Sequence, residues 1–280
     1  MRLMLWISLA AGRRAGRVVL HGIALYFTLF APKAARASRD YLTRVLGRAP
    51  RWRERYRHVL CFASTIHDRV FLLTGRGAQL RVTVRGAEAL HAALADGQGA
   101  LLMGAHLGSF EVLRTMGRER GGLAVAMAMY EDNARKLNAT LAVLAPEAQQ
   151  DVIALGRMDA MLTVRDRLAA GCLVGLLADR SLADADACTR LPLLGADAAF
   201  PDGPWRLAAM LQRPVFFMAG LYLGGNRYEI RFEPLADLRA TPRAERPAAM
   251  AAAQQAYVQA VERALRDSPY NWFNFYDFWQ

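Results

Sequence analysis

The chain has few cysteines: Cys61, Cys172 and Cys188 are the only three among 280 residues, and they are far apart. An odd number of widely spaced cysteines does not make a disulfide framework, so we interpret them as reduced thiols of a cytoplasmic protein. Neither the cysteines nor four of the five histidines have metal-ligand spacing. The acidic stretch ADADA (183–187) is more typical of a flexible loop than of a cation site. We therefore predict no bound metal.

The chain also lacks two common enzyme signatures. Ser109 follows a histidine, but no G-x-S-x-G elbow surrounds it, which argues against a serine hydrolase. The stretch GRGAQL (75–80) lacks the third glycine and the preceding strand of a dinucleotide-binding turn. We therefore do not expect a nicotinamide or flavin cofactor.

An apolar run from Val18 to Pro32, flanked by basic residues, is too short for a square membrane crossing. It has roughly 14 apolar residues where a spanning helix needs about 20. The run favours a membrane-associated helix. A cleaved signal peptide is less consistent with the sequence because no A-x-A-like site follows, and a buried core helix remains an alternative.

The body of the chain has no excess of either charge. Residues 1–58 contain thirteen Lys or Arg and two acids, so 13 − 2 = 11 accounts for the whole net charge of +11. Such a block suits an anionic surface, either nucleic acid or phospholipid. Because an apolar run lies within the block, we predict an anionic phospholipid membrane as partner and no nucleic acid.

Short apolar runs alternate with helical patterns after residue 74, which predicts an α/β fold with a mostly parallel sheet flanked by helices. An N-terminal basic and apolar membrane-associated helix precedes it. We divide the chain into a membrane-associated segment, 1–58, and a single α/β domain, 59–280. The predicted strands are 79–86, 99–105, 122–129, 172–178, 214–223 and 227–235, and the predicted helices are the segment through about 74, 109–120, 133–144, 159–171, 201–212 and 246–268.

The stretch GALLMGAHLGSFEVLR (99–114) places His106 and Glu111 after a predicted buried strand. On one helix, residues five apart do not share a face, so the two can meet only if His106 precedes the helix. Gly108 permits such a turn and Ser109 is a suitable N-cap. Glu111 could then hold one ring nitrogen while the other acts as a base, with helix N–H groups near a developing oxyanion. The alternative is a structural histidine and a solvated glutamate.

The stretch GAHLGSFE resembles the H-x4-D/E motif of the lysophospholipid acyltransferase superfamily, in the form found in bacterial lipid A biosynthesis (lauroyl/myristoyl) acyltransferases. The likeness extends to the LADR stretch, to LPLLGADAAFPDGPWRLAAMLQRPVF and to Trp272 in the tail. It implies acyl transfer from a thioester, carried on acyl carrier protein or coenzyme A, to a lipid hydroxyl. His106 would be the base and Glu111 its partner, and no cofactor is needed.

The resemblance also implies roles for residues elsewhere. Asp179 and Arg180 close the LADR strand, and Arg157 corresponds to a substrate-binding arginine of the family. Tyr130 and Asn133 would line the substrate groove. From the residues alone, Asp179 could instead be a cap, Arg157 a solvated cation and Tyr130 a core residue.

The tail SPYNWFNFYDFWQ departs from the family's W-x-H-R-R ending, because it is aromatic and has no basic residue. It resembles tails of acyltransferases linked to aryl polyene or other specialised lipids. We therefore expect a lipid or polyene hydroxyl acceptor, and an enzyme on the cytoplasmic face of the bacterial inner membrane. The alternatives are a thioesterase using the same two residues and a non-catalytic membrane-binding scaffold.

Overall fold

A computed structural model describes residues 2–117, 123–130, 151–156, 159–180 and 187–279, with side chains from residue 12 onward. The helices in these residues are α1 (Arg2–Phe30), α2 (Pro32–Leu46), α3 (Trp52–Leu73), α4 (Ala87–Ala93), α5 (Phe110–Met116), α6 (Ala160–Ala169), α7 (Gly203–Leu211) and α8 (Arg246–Asp267). The strands are β1 (Arg81–Arg85), β2 (Leu101–Gly104), β3 (Val125–Tyr130), β4 (Val152–Leu155), β5 (Leu173–Leu177), β6 (Cys188–Leu193), β7 (Ala196–Pro201), β8 (Pro214–Gly224) and β9 (Arg227–Asp237).

Seven strands form one sheet in the order β1-β9-β8-β2-β5-β3-β4. All neighbours in it are parallel except β8 and β9, which form an antiparallel pair joined through Gly224 and Gly225. The predicted α/β fold with a mostly parallel sheet is confirmed. Since the strand-to-helix connections follow the parallel strands, their carboxyl ends form one edge at which side chains from several connections can meet.

The position of the central strand β2 determines which residues meet at this edge of the sheet. Its four residues are all buried, and it runs parallel to β5 on one side and β8 on the other. The backbone N–H of Ala178 donates to the carbonyl of Gly104 at 2.9 Å. The residues that follow β2 and β5 are therefore neighbours in space, although more than seventy positions separate them in sequence.

Two strand regions were not predicted. β4 has only four residues, and β6 and β7 form a separate antiparallel hairpin in a stretch interpreted as a loop. Pro192 interrupts the apolar pattern of β6, and the hairpin turns at Leu194 and Gly195, both with positive φ. The hairpin stands outside the main sheet, which is why it lacks the apolar run of a buried strand. The predicted helix 133–144 lies outside the described residues.

The N-terminal helical region is confirmed through residue 73, but it is broken into three helices. Gly12 kinks α1 with φ 78°, and Gly47 ends α2 in the left-handed conformation. In the described residues no single helix has the length and hydropathy of a membrane span. The pair formed by Gly12–Phe30 and Pro32–Leu46, bent by 91°, meets those criteria together.

Two of the N-terminal arginines form ion pairs with a buried carboxylate of the body. Asp68 on α3 is fully buried, and it accepts hydrogen bonds from Arg13 at 2.7 Å, from Arg17 at 2.9 Å and from Tyr228 at 2.9 Å. Burial alone would raise the pKa of Asp68, but the adjacent ring of His67, a hydrogen bond from Arg13 and the charge of Arg17 hold it below its ordinary value. Two of the basic residues expected at a membrane surface therefore dock α1 onto the body.

The second half of α1 exposes large apolar side chains. Val18, Leu25, Tyr26, Phe27, Leu29 and Phe30 are each between 42% and 73% exposed. A contiguous exposed apolar patch of this kind marks an interaction surface rather than a core helix. The division of the chain at residue 58 stays a prediction; residue 58 lies within α3.

Candidate active site

A tight turn carries His106 from the end of β2 to the start of α5. Gly108 has φ 70°, and a Cβ at this position would lie 2.0 Å from the carbonyl oxygen of Gly220, so only glycine fits. Ser109 occupies the N-cap position with extended backbone, although its side chain makes no cap hydrogen bond. The predicted strand–turn–helix is confirmed, and it sets His106 at the carboxyl edge of the sheet.

Both ring nitrogens of His106 have polar partners. Nδ1 lies 2.8 Å from Oδ1 of Asp179, and the backbone N–H of His106 donates to Oδ2 of the same carboxylate at 2.9 Å. Nε2 lies 2.5 Å from Nη2 of Arg180. Because a guanidinium only donates, Nε2 is an acceptor here, and Nδ1 carries the proton that is donated to Asp179. The side chain of His106 is 23% exposed, so it can be reached from solvent.

Asp179 follows β5 and is completely buried. Burial alone would raise the pKa of Asp179, but the charge and hydrogen bonds of His106 and a hydrogen bond from Asn274 hold it below its ordinary value. An ionised carboxylate behind a histidine fixes the ring tautomer and stabilises the imidazolium when it forms. Asp179 is therefore placed to act as the acidic partner of His106.

The expected hydrogen bond between His106 and Glu111 is not found in the described structure. Glu111 is 3% exposed and accepts from Nε of Arg69 on α3 at 3.2 Å and from Nε of Arg114, one turn later on α5. Two guanidinium groups compensate a buried carboxylate better than a neutral imidazole does, so the glutamate turns into the α3–α5 interface. The pairing inferred from the five-residue spacing is corrected accordingly.

A chain of ion pairs extends from Glu111. Arg114 is itself 4% exposed, and its Nη1 also lies 3.2 Å from Oδ2 of Asp151, which precedes β4. These ion pairs connect α3 and α5 with the residue that precedes β4. Glu111 therefore holds the first turn of α5 in place, and with it the end of the turn that carries His106.

The C-terminal tail runs beside the same turn. The N–H of Phe273 donates to the carbonyl of His106 at 2.7 Å, and Trp272 forms a bridge with Leu107. Asn274 is 2% exposed, and its Nδ2 donates to Oδ2 of Asp179 at 2.8 Å. The tail thus completes the surroundings of the buried carboxylate.

Sequence reasoning did not identify Asn274, Arg69 or Arg114 as parts of this site. A signal existed only for Asn274: counted from Trp272, it stands where the W-x-H-R-R ending has its histidine. Arg69 lies on a helix some forty positions before the motif, and nothing in the local pattern separates it from a solvated cation. These residues become recognisable only when the tail and α3 are packed against the β2–α5 turn.

The structure places the other predicted residues as follows. Arg180 contacts His106, and its guanidinium also lies 5.7 Å from the ring centroid of Tyr276. Tyr130 ends β3, the neighbour of β5, and is 41% exposed at the same edge of the sheet. Arg157 and Asn133 lie outside the described residues.

The backbone N–H groups at the turn are less available than expected. Gly108 donates to the carbonyl of Asn271 and Ser109 donates to that of Gly220, each at 2.8 Å. Neither N–H is free to meet a developing oxyanion. Arg180 is a positively charged donor that already lies beside Nε2 of His106.

A histidine backed by a buried carboxylate, at the carboxyl edge of a parallel sheet, is an arrangement with which enzymes remove a proton from a nucleophile. The family model for bacterial lipid A biosynthesis acyltransferases matches residues 2–280 of this chain. The protein belongs to that family, and it is an acyltransferase acting on lipid-like substrates. No individually curated protein shows significant similarity to the chain.

Proposed function

We propose that this protein transfers a fatty acyl group from an acyl thioester to the hydroxyl group of a lipid acceptor, with His106 as the general base. The observation that carries the proposal is the arrangement around its ring. Nδ1 is held by the buried Asp179, while Nε2 is an acceptor on the exposed side. This is the protonation state that a base needs before it meets a hydroxyl.

In the proposed reaction, Nε2 of His106 takes the proton of the acceptor hydroxyl while its oxygen attacks the thioester carbonyl. A carbon–oxygen bond forms, and the tetrahedral intermediate then breaks its carbon–sulfur bond. The imidazolium returns the proton to the departing thiolate, which leaves as a thiol. Asp179 stabilises the imidazolium between the two steps, and the thioester supplies the activation without a cofactor.

Arg180 has to release Nε2 before the acceptor hydroxyl can bind there. A guanidinium displaced by a few ångströms remains close to the reacting carbonyl, where it can neutralise the oxyanion of the intermediate. This role fits the occupied N–H groups of Gly108 and Ser109, which leave Arg180 as the nearest charged donor. Glu111 is a positioning residue in this scheme, acting through Arg69, Arg114 and the first turn of α5.

The proposed donor is an acyl thioester of acyl carrier protein or of coenzyme A, which the family resemblance implies. Arg157, Tyr130 and Asn133 remain proposed substrate-binding residues. Tyr130 ends a strand at the edge where His106 lies, which agrees with such a role. We also propose that residues 1–58 form the membrane-associated segment and 59–280 the acyltransferase domain.

The acceptor is proposed to be a lipid or polyene hydroxyl less anionic than a lipid A precursor. Two described cations of the site are already engaged: Arg180 with His106 and Tyr276, and Arg69 with Glu111. On the tail, Phe273 and Phe275 pack against Phe62 of α3, which is 36% exposed. An apolar surface beside the site favours an acyl or polyene chain over a phosphorylated sugar.

The proposed location is the cytoplasmic face of the bacterial inner membrane. The exposed apolar side chains of α1, flanked by basic residues, suit a helix that lies in or dips into a lipid surface. Thioester donors are produced in the cytoplasm, so the site has to face that compartment. Flotation of the full chain with vesicles, compared with a variant carrying Leu25→Ser, Phe27→Ser and Phe30→Ser at exposed positions of α1, tests the association.

The test of the proposed function is thiol release from acyl carrier protein and acyl-coenzyme A thioesters, with and without hydroxylated lipids, followed by mass spectrometry of the products. We expect acyl-lipid to form only when both substrates are present, and to disappear in His106→Ala. Free fatty acid as the sole product would identify a thioesterase. No thiol release under any condition would identify a scaffold. Restoration of normal lipid A in a strain lacking its late acyltransferase would overturn the proposed acceptor.

A further inference from the structure

A cavity of about 480 Å³ lies between α1, α3, the β8–β9 turn and the segment after α8. Its lining includes Arg17, His21, Arg57, Leu60 and Tyr270. His106, Asp179, Arg180 and Glu111 are not among its described lining residues. The cavity is therefore separate from the acyl-transfer site, although Asn271 in its wall directly precedes the tail residue that bridges Leu107.

The cavity has an excess of positive charge. Arg57 is exposed, its guanidinium stacks 4.6 Å from the ring centroid of Tyr270, and no carboxylate in the described structure pairs with it. Arg17 shares the single carboxylate of Asp68 with Arg13, so that cluster keeps one positive charge. The acid in the lining, Asp267, is neutralised by Arg231 at 2.6 Å. A cavity with uncompensated positive charge favours the binding of an anion.

An apolar path leads out of the cavity along α1. His21, Leu25 and Leu29 are spaced four residues apart and so share one face, and the two leucines are 42% and 55% exposed. Leu29, at the end of this path, lies eight residues beyond His21. At about 1.5 Å per residue the path is roughly 12 Å long. This length is close to half of a hydrocarbon core of about 30 Å.

Aromatic side chains lie beside the cavity, next to His21, and are of the kind that collects at the headgroup level of a membrane. Nδ1 of His21 lies 2.6 Å from the hydroxyl of Tyr56, and Trp52 stacks on Tyr56 with ring centroids 5.5 Å apart. Trp52 is 44% exposed. Tyr and Trp collect at the headgroup level of a membrane, where their rings are half in apolar and half in polar surroundings.

We propose that this cavity binds the phosphate headgroup of an anionic glycerophospholipid, with one acyl chain lying along the His21–Leu25–Leu29 face of α1. The charge of the cavity selects a phosphate, and the adjoining apolar face distinguishes a lipid from a free phosphate ion. The bound lipid is a membrane ligand and not the acyl acceptor. Through it, the depth of α1 in the leaflet is fixed relative to the catalytic turn.

The first test uses a lipid that is soluble as a monomer. Titration calorimetry of the full chain with dihexanoyl-phosphatidylglycerol, below its critical micelle concentration, is expected to give saturable one-to-one binding. Arg57→Gln should weaken it by about five-fold, the effect of one cation near an anionic headgroup. The matched control is Arg243→Gln, which removes an exposed arginine outside the cavity and should leave the affinity unchanged.

The second test separates a cavity from general surface charge. Leu60→Trp narrows the cavity without changing its charge and should weaken binding, whereas Leu162→Trp, at an exposed position of α6, should not. The fold of each variant is checked by circular dichroism. If Leu60→Trp does not fold, the comparison of Arg57→Gln with Arg243→Gln decides, because both side chains are exposed.

Three results would overturn the proposal. Equal loss of affinity in Arg57→Gln and Arg243→Gln would mean that only overall charge matters. Equal affinity for dihexanoyl-phosphatidylcholine would remove the anionic selectivity. Inorganic phosphate binding as tightly as the lipid would identify a free-phosphate site instead. Each of these results is independent of whether the protein transfers acyl groups.

Discussion

His58 and His106 both contact the C-terminal tail, at neighbouring residues, yet their surroundings differ. His58 is fully buried, with Nε2 2.6 Å from the carbonyl of Trp272 and Nδ1 2.8 Å from the hydroxyl of Ser38. His106 is partly exposed and has a buried carboxylate behind Nδ1. Both partners of His58 are neutral and fixed, whereas Asp179 favours the charged ring of His106.

This difference separates a structural histidine from one whose surroundings suit the proposed proton transfer. Burial lowers the pKa of His58 to about 4, although its hydrogen bond to Trp272 acts in the opposite direction. The ring therefore stays neutral and links α2, α3 and the tail at ordinary pH. His106 has an ionised acid on one side and an accessible nitrogen on the other, which allows it to gain and lose a proton during a reaction.

The strongest test of the comparison is His106→Ala. Loss of a general base lowers the rate by about 10²–10⁴-fold. We expect acyl transfer to fall within or beyond this range, with only a modest fall in the urea unfolding midpoint, because buried Asp179 loses one donor but keeps the backbone N–H of residue 106 and Asn274. Turnover within ten-fold of the wild-type value would contradict the role of His106 as general base.

The next test asks which acid supports His106. Asp179→Asn keeps the hydrogen-bonding shape but loses the charge, so we expect activity to fall by about 10²-fold or more, as for a general base that loses its orienting acid. Glu111→Gln should act mainly through the packing of α5, with a smaller loss of activity and a lower free energy of unfolding. Steady-state kinetics and urea titration of both variants measure the two effects. The reverse order of activities would restore Glu111 as the direct partner.

His58 should govern stability as pH falls. Its folded pKa is about 4, below the unfolded value of about 6.5, so below 6.5 the unfolded chain binds a proton before the folded one does. The stabilisation is complete above pH 6.5 and is lost towards pH 4, by about 3 kcal/mol. Urea unfolding at several pH values should show this slope, and His58→Gln should remove it.

The control is His91→Gln, because His91 is exposed on α4. This variant should keep the wild-type slope. A slope between pH 6.5 and about 5 that is as steep in His58→Gln as in the wild type would mean that the burial of His58 has no thermodynamic consequence.

The smallest effect is expected from Asn274. Asn274→Ala removes one hydrogen bond to a charged group, worth about 1.5–3 kcal/mol, so the carboxylate of Asp179 should be less well oriented and its pKa higher. We expect kcat to fall by about ten-fold with little change in KM, and the acidic limb of the pH–rate profile to shift upwards. Asn274→His, which restores the residue of the W-x-H-R-R ending, should recover part of the rate. An unchanged pH profile in Asn274→Ala would reduce its role to packing.

The local sequence was sufficient to predict the elements that depend on short-range patterns. The apolar run before His106 predicts the buried strand β2, Gly108 predicts the turn, and the apolar run of 172–178 predicts β5. Strand and helix patterns repeat every two and every 3.6 residues, and so they can be recognised within one segment. The hairpin β6–β7 was not predicted because it packs outside the sheet and has no continuous apolar run.

The sequence by itself determined that His106 stands at the carboxyl end of a buried parallel strand, and that the positive charge lies in the first 58 residues. Only the tertiary structure decided which acid meets His106, because Asp179 becomes its neighbour through the pairing of β2 with β5. The same holds for Arg13 and Arg17, which a composition count assigns to a membrane but which Asp68 holds inside the protein. A buried charge takes whichever partner compensates it best, and that choice depends on contacts between segments that are distant in sequence.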